Sequence, residues 1–503
     1  MNKRHQKTMV KAGALLTTVA LVMTACGGKD QAAPQGNGGA GVNQGPLQLT
    51  MMLPTYNPEQ MPADSSVLKA LEEKTNTKLT VSWVPSSSYT DKLSATVASG
   101  ELPKTFVALE PKASNIVNAA RSGMFWEVGP YLKSYPNLSK MSDIVLKNIS
   151  IDGKIYGVFR ERDLARFGLM IRQDWLTNLG LQAPKNVDEL YTVLKAFATG
   201  DPDKNGKQDT LGLAVGMQGS NIAGFKDILV YMGGPNEWEL KDGKLVPAHM
   251  TAAYLETMKF YKKLYDEKII NQDFALVQDG RAVMNKGQAG LWIDNMLDGK
   301  VIEENMKKVD PNAKINLINR ISGPKGERTR AGAGYLGMYV IPKTSVKTEA
   351  ELKQILAYFD KVSEKDIQNL MKYGIEGKQY TTENGNYTQN QDSKIKAEIK
   401  DGNQFMILQD QVVNYGNELE KLSTKLFQDN ATIALANPAA PFISNTEIEK
   451  GKELSKLIAD ATVKFIMGAI NEADWKQTVD KWLQSGGSKV IEEFNAEYAK
   501  VAK

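Results

Sequence analysis

One short segment has the oxygen ligands of a calcium loop. In DPDKNGKQD, residues 201–209, polar side chains recur at every second position and Gly206 stands at the sixth. Calcium takes oxygen ligands from loops with this spacing, in which the seventh position supplies a backbone carbonyl. We therefore expect a structural calcium site whose ligands are Asp201, Asp203, Asn205, Lys207 and Asp209. Position twelve is Gly212 rather than a bidentate Glu, so the alternative is a plain Asp/Asn/Gly turn.

Arginines cluster in FRERDLARFGLMIR, residues 159–172. If this segment is one strand, Arg160, Arg162 and Arg166 project from the same face, because side chains alternate along a strand. Three guanidinium groups on one face repel one another unless an anion neutralises them, and their planar fork suits carboxylate, sulfate or phosphate. The cluster predicts either a cleft for a polar or anionic ligand, or a domain interface at which Glu161 and Asp163 neutralise the arginines.

Aromatic side chains stand beside polar ones outside the periodic segments. Trp238 follows Asn236 and Glu237, and Trp292 precedes Asp294 within GLWIDNM. Sugar rings present C–H faces that stack on Trp and Tyr, and hydroxyls that bond Asp, Asn and Arg. Each aromatic alone could belong to the core, but several together favour a carbohydrate cleft.

The counts of Cys and His exclude several chemistries. The single cysteine rules out an intrachain disulfide framework and a multi-Cys zinc site. Of the two histidines, only His249 lies outside the first 25 residues, so poly-His metal sites are excluded as well. GAGYLG, residues 332–337, matches a dinucleotide fingerprint but leads into a strand rather than a helix. It predicts close backbone passage at a domain crossing.

The first 46 residues have the pattern of a targeting signal followed by a flexible linker. A basic start is followed by an apolar run of 14 residues, AGALLTTVALVMTA, which is too short to span a membrane and suits a signal peptide. Cys26 follows two small residues and precedes Gly27, as in a bacterial lipoprotein signal. We expect a signal peptide at 1–25, a lipid on the Cys26 sulfur, and a Gly-rich flexible linker at 26–46. A secretory signal followed by a free cysteine is the alternative.

The net charge of +4 comes from this leader. Four of the 62 basic residues lie in the first 25 positions, and the remaining 58 equal the 58 acidic residues. After cleavage the chain is neutral, which removes the case for a nucleic-acid partner.

Strands and helices alternate along the body. The pattern predicts strands at 47–53, 78–84 and 104–109, with helices at 64–74 and 90–99 between them. This order favours an α/β fold with a parallel sheet and crossover helices, whose ligands bind at the carboxyl ends of the strands. Tyr56 and Glu110 lie in loops at those ends. The length of 503 residues predicts more than one domain.

The mature chain resembles family 1 extracellular solute-binding lipoproteins of bacterial ABC importers. It is most similar to the oligosaccharide-binding type related to the alginate-binding proteins. Five segments carry the resemblance: GMFWEVGPYLKSYPNL (123–138), DGKIYGVFRERDLARFGLMIRQDWLTNLGL (152–181), DPDKNGKQDTLGL (201–213), GGPNEWELKDGKL (233–245) and YGIEGKQYTTENGNYT (373–388). The family's calcium loop maps onto the same five positions, although Thr210 stands where the alginate-binding relatives have an acid.

The resemblance implies a two-lobe fold of the type II periplasmic-binding-protein kind, with the ligand cleft between the lobes. Lobe 1 would comprise residues 47–165 and 325–395, and lobe 2 residues 166–324 and 396–503. The cleft residues carried over are Arg160, Arg162, Trp238, Trp292, Asp294 and Tyr335.

It further implies a binding protein rather than an enzyme. A lipid-anchored monomer on the outer face of a Gram-positive cell membrane would capture an oligosaccharide by hinge closure and deliver it to a permease pair. Two alternatives stay open, a peptide-binding lipoprotein of the same fold and a cell-surface polysaccharide-degrading enzyme.

Overall fold

A computed structural model describes residues 45–383, 386–409 and 416–501. The predicted signal peptide, lipid attachment at Cys26 and nearly all of the linker lie outside these residues. Within them, no helix has the length and apolar character needed to cross a membrane.

Most of the strands are short. In chain order they are β1 (Leu47–Thr55), β2 (Thr77–Pro85), β3 (Thr105–Ala108), β4 (Gly157–Glu161), β5 (Phe167–Arg172), β6 (Leu211–Leu213), β7 (Met217–Gln218), β8 (Asn221–Ile222), β9 (Trp238–Lys241), β10 (Lys244–Pro247), β11 (Ala289–Asn295), β12 (Ile315–Ile318), β13 (Ser322–Gly323), β14 (Gly326–Glu327), β15 (Thr329–Arg330), β16 (Tyr335–Val340), β17 (Tyr380–Glu383), β18 (Asn386–Gln389) and β19 (Ala434–Leu435).

Helices cover the sheets and form most of the last hundred residues. They are α1 (Ser66–Thr75), α2 (Ser86–Ser99), α3 (Ser114–Arg121), α4 (Gly129–Leu132), α5 (Asp143–Ile149), α6 (Gln173–Asn178), α7 (Val187–Thr199), α8 (Phe225–Tyr231), α9 (Ala252–Asp266), α10 (Arg281–Asn285), α11 (Asp298–Met306), α12 (Glu349–Val362), α13 (Lys365–Tyr373), α14 (Ser393–Ala397), α15 (Glu418–Asn430), α16 (Asn445–Ile466), α17 (Glu472–Trp482) and α18 (Ser488–Val501).

The first sheet has the order β2-β1-β3-β16-β4. Its first three strands are parallel, as their alternation with helices predicts, and β16 runs antiparallel to both of its neighbours. Helix α1 begins at Ser66, whereas the sequence predicts a helix at 64–74. Its N-cap is Ser65, whose hydroxyl accepts hydrogen bonds from the amides of Val67 and Leu68.

The second sheet has the order β12-β5-β11-β6. Strand β5 is antiparallel to β11 and β12, whereas β6 is parallel to β11. The apolar stripe of α9 packs in this core, with Met258, Tyr261 and Leu264 fully buried. The two sheets and their helices confirm the predicted two-lobe α/β architecture.

Two chain segments run side by side between the two lobes. Residues 162–166 lead from β4 of the first sheet to β5 of the second, and residues 331–334 lead from β15, which pairs with β19, back to β16 of the first sheet. The amide of Arg162 donates to the carbonyl of Gly334 at 3.0 Å, and that of Gly332 donates to Leu164 at 2.6 Å. Gly334 has a φ of 83°, and a Cβ there would lie 2.4 Å from Val145. The glycines of GAGYLG thus permit close backbone passage, as their position predicts.

The two cores do not follow the predicted segment ends throughout. The first lobe's core includes residues 405–408, beyond the predicted end of its second segment at residue 395. Helices α16 to α18 pack into the core of the second lobe. The other lobe boundaries stay a prediction.

Candidate functional site

The arginine cluster lies where the chain leaves the first sheet. Strand β4 ends at Glu161 and β5 begins at Phe167, so residues 162–166 are not part of a strand. The expectation of one continuous strand face bearing Arg160, Arg162 and Arg166 is therefore wrong. The three guanidinium groups still interact electrostatically, since the charges of Arg160 and Arg166 both lower the pKa of Arg162.

Arg160 is part of the first lobe's interior rather than of the cleft surface. Its side chain is fully buried, and its guanidinium donates to the carbonyls of Leu336 at 3.2 Å and Asn403 at 3.4 Å. Burial lowers the pKa of Arg160, and its Nε has no hydrogen-bond partner. In this conformation Arg160 cannot touch a ligand, which corrects its predicted role, but its charge adds to the positive potential beside Arg162.

Arg162 and Arg166 are partly exposed and have acids nearby but, in the described part of the chain, none in direct contact. Arg162 donates to the carbonyl of Glu161 at 2.7 Å. Burial, followed by the charges of Arg160 and Arg166, lowers the pKa of Arg162 to about 10, so it stays protonated at neutral pH. Among the described residues neither guanidinium forms a salt bridge, although Asp163 and Asp294 act on Arg166 from farther away. Two cations are thus left available to an anion.

The first lobe supplies two tyrosines near these cations. Tyr335 begins β16 and pairs with Glu161, next to Arg162. Burial, together with the nearby Glu110, raises the pKa of Tyr335. Tyr56 follows β1 and is 51% exposed. These side chains lie at the strand ends at which the alternating pattern predicts ligand contacts.

One acidic residue of the second lobe, Asp294, lies near Arg166. Asp294 lies near the end of β11 and accepts a hydrogen bond of 2.9 Å from the side-chain amide of Gln218. Its charge opposes the burial effect that lowers the pKa of Arg166. The structure therefore groups three predicted ligand residues, Arg162, Tyr335 and Asp294, around the crossing segments.

The two predicted tryptophans lie elsewhere. Trp292 is fully buried in the second lobe, where its ring packs against Gly280, so its predicted sugar-stacking role is wrong for this conformation. It belongs to the core because residues 289–293 of β11, a central strand, are buried. Trp238 is 8% exposed and packs edge to face on Phe494, with ring centroids 4.8 Å apart. The small exposed part of Trp238 lines a cavity.

This cavity, which we call the aromatic cavity, lies in the second lobe and measures about 200 Å³. It is bounded by the hairpin β7–β8, helix α8 and helix α16. Its aromatic lining residues are Phe225, Trp238, His249, Tyr254 and Trp482. Sequence patterns missed most of them because Tyr254 fits the apolar stripe of α9 and His249 follows a strand without any chemical motif. Only Trp238 stands beside polar residues in a loop.

Carboxylates and a lysine line one side of the aromatic cavity. Lys226 donates to Glu237 at 2.5 Å. Burial alone would raise the pKa of Glu237, but Lys226 and Arg330 outweigh it and hold that pKa below its ordinary value. Burial and the charge of Glu237 raise the pKa of Glu447 to about 7. Burial lowers the pKa of His249 to about 4, so its imidazole is neutral at pH 7.

The cavity and the arginine cluster are neighbours. Gln218, which bonds Asp294, pairs directly with Asn221 across the hairpin β7–β8, and Asn221 lines the cavity. Paired residues on adjacent strands have Cβ atoms roughly 5 Å apart. The charge of Arg330 affects the pKa of both Glu237 and Arg166, so Arg330 is near both the cavity and the arginine cluster.

The predicted calcium loop forms a compact set of polar contacts. Asp201 accepts hydrogen bonds from the amides of Asn205 at 3.0 Å and Gly206 at 3.1 Å. The Asn205 side-chain amide donates to Asp203 at 2.9 Å and Asp209 at 3.2 Å. One oxygen of Asp203 is buried without a partner, and burial raises the pKa of Asp203. The Asn205 amide group thus donates to two carboxylates, those of Asp203 and Asp209, and lies where a cation between these carboxylates would lie.

Acidic, His and Cys side chains alone do not form a metal site in the described part of the chain. Across the described part of the chain, no three of them are grouped so that they could hold a metal ion. A site in this loop would also need the Asn205 side-chain oxygen and the Lys207 carbonyl, which are neutral ligands of the kind that calcium accepts.

Comparison with known proteins shows the family to which the chain belongs. Residues 57–368 match the family model described as bacterial extracellular solute-binding protein. The chain is 41% identical to the polygalacturonan/rhamnogalacturonan-binding protein YtcQ of Bacillus subtilis, over 94% of this chain and 95% of YtcQ. It is 38% identical to lipoprotein LipO of the same organism, over 90% and 92% of the two chains.

Solved structures share the fold at lower identity. An extracellular solute-binding protein from Bifidobacterium longum subsp. infantis superposes with a TM-score of 0.71 at 17% identity. The alignment covers 91% of this chain and 99% of that one.

Proposed function

The chain belongs to the bacterial extracellular solute-binding proteins, and we propose that it captures an acidic oligosaccharide in the cleft between its lobes. The observation that carries this proposal is the pair of cations at the crossing segments, Arg162 and Arg166, which form no salt bridge among the described residues. A sugar carboxylate would accept paired hydrogen bonds from a guanidinium fork. The 41% identical relative that is named for binding polygalacturonan and rhamnogalacturonan supports the same ligand class.

Closure of the cleft would follow from the position of the site. Tyr335 belongs to the first lobe, Asp294 belongs to the second, and Arg162 begins one of the two crossing segments, which would act as the hinge. A ligand that touches both sides binds the closed form better and shifts the equilibrium toward it. The closed form would be the one that a permease pair of an ABC importer recognises, and the protein would act as a monomer.

The location also belongs to this proposal. A lipid on Cys26 would anchor the protein to the outer face of the cell membrane of a Gram-positive bacterium, and residues 26–46 would tether the body. The 38% identical relative, which is named a lipoprotein, supports the anchor.

Isothermal titration with three ligands tests the choice of substrate. We expect trigalacturonate to bind at least tenfold more tightly than neutral maltotriose, because, of these two sugars, only trigalacturonate supplies carboxylates to Arg162 and Arg166. An acidic tripeptide should not bind measurably. Tighter binding of the peptide would favour the rival peptide-binding protein, and equal affinity for the two sugars would contradict the proposal.

Recovery of the sugar distinguishes a receptor from an enzyme. After prolonged incubation with the protein, trigalacturonate should elute unchanged from an anion-exchange column, because a receptor performs no covalent chemistry on its ligand. At a ligand concentration of 100 times Kd, binding alone should stabilise the fold by about 2.7 kcal/mol. Appearance of shorter products would favour the polysaccharide-degrading enzyme.

Calcium in the 201–209 loop is the second part of the proposal. The supporting observations are the unpartnered oxygen of Asp203 and the convergence of Asp203 and Asp209 on one amide. Calcium would take oxygens from Asp201, Asp203, Asn205, Asp209 and the Lys207 carbonyl, once the Asn205 amide group turns its oxygen inward.

Removal of calcium should lower the melting temperature. We expect excess EGTA to reduce the Tm of the wild-type protein by several degrees and calcium to restore it, because the ion binds only the folded loop. Asp203→Asn should remove most of this response, whereas Asp242→Asn, in the exposed turn between β9 and β10, should keep it. A wild-type Tm that does not respond to EGTA would contradict the calcium site.

A further inference from the structure

The aromatic cavity differs in charge from the arginine cluster beside it. Lys226 is already paired with Glu237 at 2.5 Å, and the His249 imidazole is uncharged at neutral pH. Glu447 adds a second carboxyl group. A uronate placed here would face the Glu237 carboxylate and a Glu447 carboxyl group that is about half ionised at pH 7, and it would find no free cation among the lining residues that the structure describes.

The same cavity suits an uncharged sugar. Its volume of about 200 Å³ corresponds to on the order of ten waters, which is enough for a single sugar ring. Trp238 and Trp482 provide rigid apolar surface, because both are packed in the second lobe's core. Asn221, Glu237 and Ser455 supply hydrogen-bonding groups for hydroxyls. Aromatic walls with a few polar groups are what a sugar's mixed surface requires.

One wall of the cavity belongs to the hydrophobic core of the second lobe, because Trp238, Trp482 and Val490 are members of that core. Glu447 lies on the side toward the first lobe, since Lys112 of that lobe affects its pKa. A sugar chain that enters from the Glu447 side meets the core wall, which suits the end of a chain better than a segment from its middle.

From these features we infer that the aromatic cavity binds a neutral terminal unit of the ligand, while the adjacent arginine cluster binds a uronate in the same oligosaccharide. This inference rests on the proposed function and deepens it. The preferred ligand then has a neutral sugar at one end followed by acidic units, and it is recognised by its end. A chain made only of uronates would fill the arginine cluster but leave the cavity empty.

Two tetrasaccharides and two variants of α16 test the inference. The ligands are tetragalacturonate and an alternating rhamnose–galacturonate tetrasaccharide with rhamnose at its non-reducing end. Ser455→Trp would place an indole in the cavity from an exposed helix position. Lys452→Trp places one on the same helix outside the cavity and serves as the control. Titration calorimetry gives the affinities, and thermal melting shows that both variants are folded.

We expect the wild type to bind the rhamnose-terminated ligand at least tenfold more tightly than tetragalacturonate. Ser455→Trp should remove this preference and change the affinity for tetragalacturonate less than threefold, whereas Lys452→Trp should preserve it. Equal wild-type affinity for the two ligands, or a preference that survives Ser455→Trp, would overturn the inference while leaving the acidic-sugar receptor intact. If the wild type binds neither ligand, both the inference and the proposed function fail.

Discussion

Replacing Arg162 by glutamine should weaken the binding of trigalacturonate by roughly 10- to 100-fold. A hydrogen bond to a charged group contributes about 1.5–3 kcal/mol, and each 1.4 kcal/mol is a factor of ten in Kd. Arg162 is partly exposed at the crossing segments and forms no salt bridge among the described residues. It can therefore donate hydrogen bonds to a carboxylate of the sugar. Titration calorimetry at constant ionic strength measures the effect.

Two further variants separate the guanidinium fork from net charge. Arg162→Lys keeps the charge but loses the planar pair of donors, so its affinity should fall between those of the wild type and Arg162→Gln. Lys452→Gln removes one positive charge from the exposed side of α16 and should change Kd less than twofold. If Arg162→Gln binds trigalacturonate as tightly as the wild type does, the cation that carries the proposed function is not Arg162.

The second large effect concerns stability. Asp227→Ala should lower the free energy of unfolding by about 2–4 kcal/mol, somewhat less than the loss of a partner costs a fully buried charge, because it leaves the Arg330 guanidinium, whose side chain is 20% exposed, without its partner. Asp227 is only 3% exposed, and it accepts two hydrogen bonds from Arg330, at 3.1 and 3.2 Å. The Arg330 guanidinium also lies over the Phe167 ring, 3.7 Å from its centroid. Denaturant unfolding should therefore show a clearly lower midpoint for this variant.

An exposed ion pair provides the matched control. Asp460 pairs with Lys456 one turn earlier on α16, and both side chains are more than half exposed. Because exposed pairs contribute 0–1 kcal/mol, we expect Asp460→Ala to change the midpoint little. If Asp227→Ala is no more destabilising than Asp460→Ala, then the pair with Arg330 does not stabilise the fold as its burial implies.

The ion pair also joins parts of the second lobe that the ligand site uses. Asp227 lies on α8, which also carries the cavity residues Phe225 and Lys226. Arg330 lies on β15, just before the second crossing segment. This pair therefore fixes the cavity relative to the hinge, and loss of it should affect ligand affinity as well as stability.

The sequence by itself determined the order of the main elements and the class of the fold. The spacing of apolar residues predicted the strands β1, β2 and β3 and the helices between them, because burial imposes a pattern that a short window reveals. It also located the arginine cluster and the close passage of GAGYLG. Each of these features depends on residues that are near one another in the chain.

The tertiary structure decided which of these residues face a ligand. Tryptophan beside polar residues has the same local pattern in the core and in a cleft, yet Trp292 is fully buried and Trp238 lines a cavity. Arg160 and Arg162 are two positions apart, but the end of β4 at Glu161 leaves one inside the first lobe and the other at the crossing.

Apart from Trp238 and its polar neighbours, the aromatic cavity had no signal in the sequence. Its walls come from segments between residues 220 and 490, and the ion pair that holds α8 joins residues 103 positions apart. Hydrophobic burial is non-directional, so periodicity shows that a side chain is buried but not what it is buried against. The sequence thus specified the elements and the supply of charged and aromatic groups, and only their packing selected Arg162, Tyr335, Asp294 and the cavity as one site.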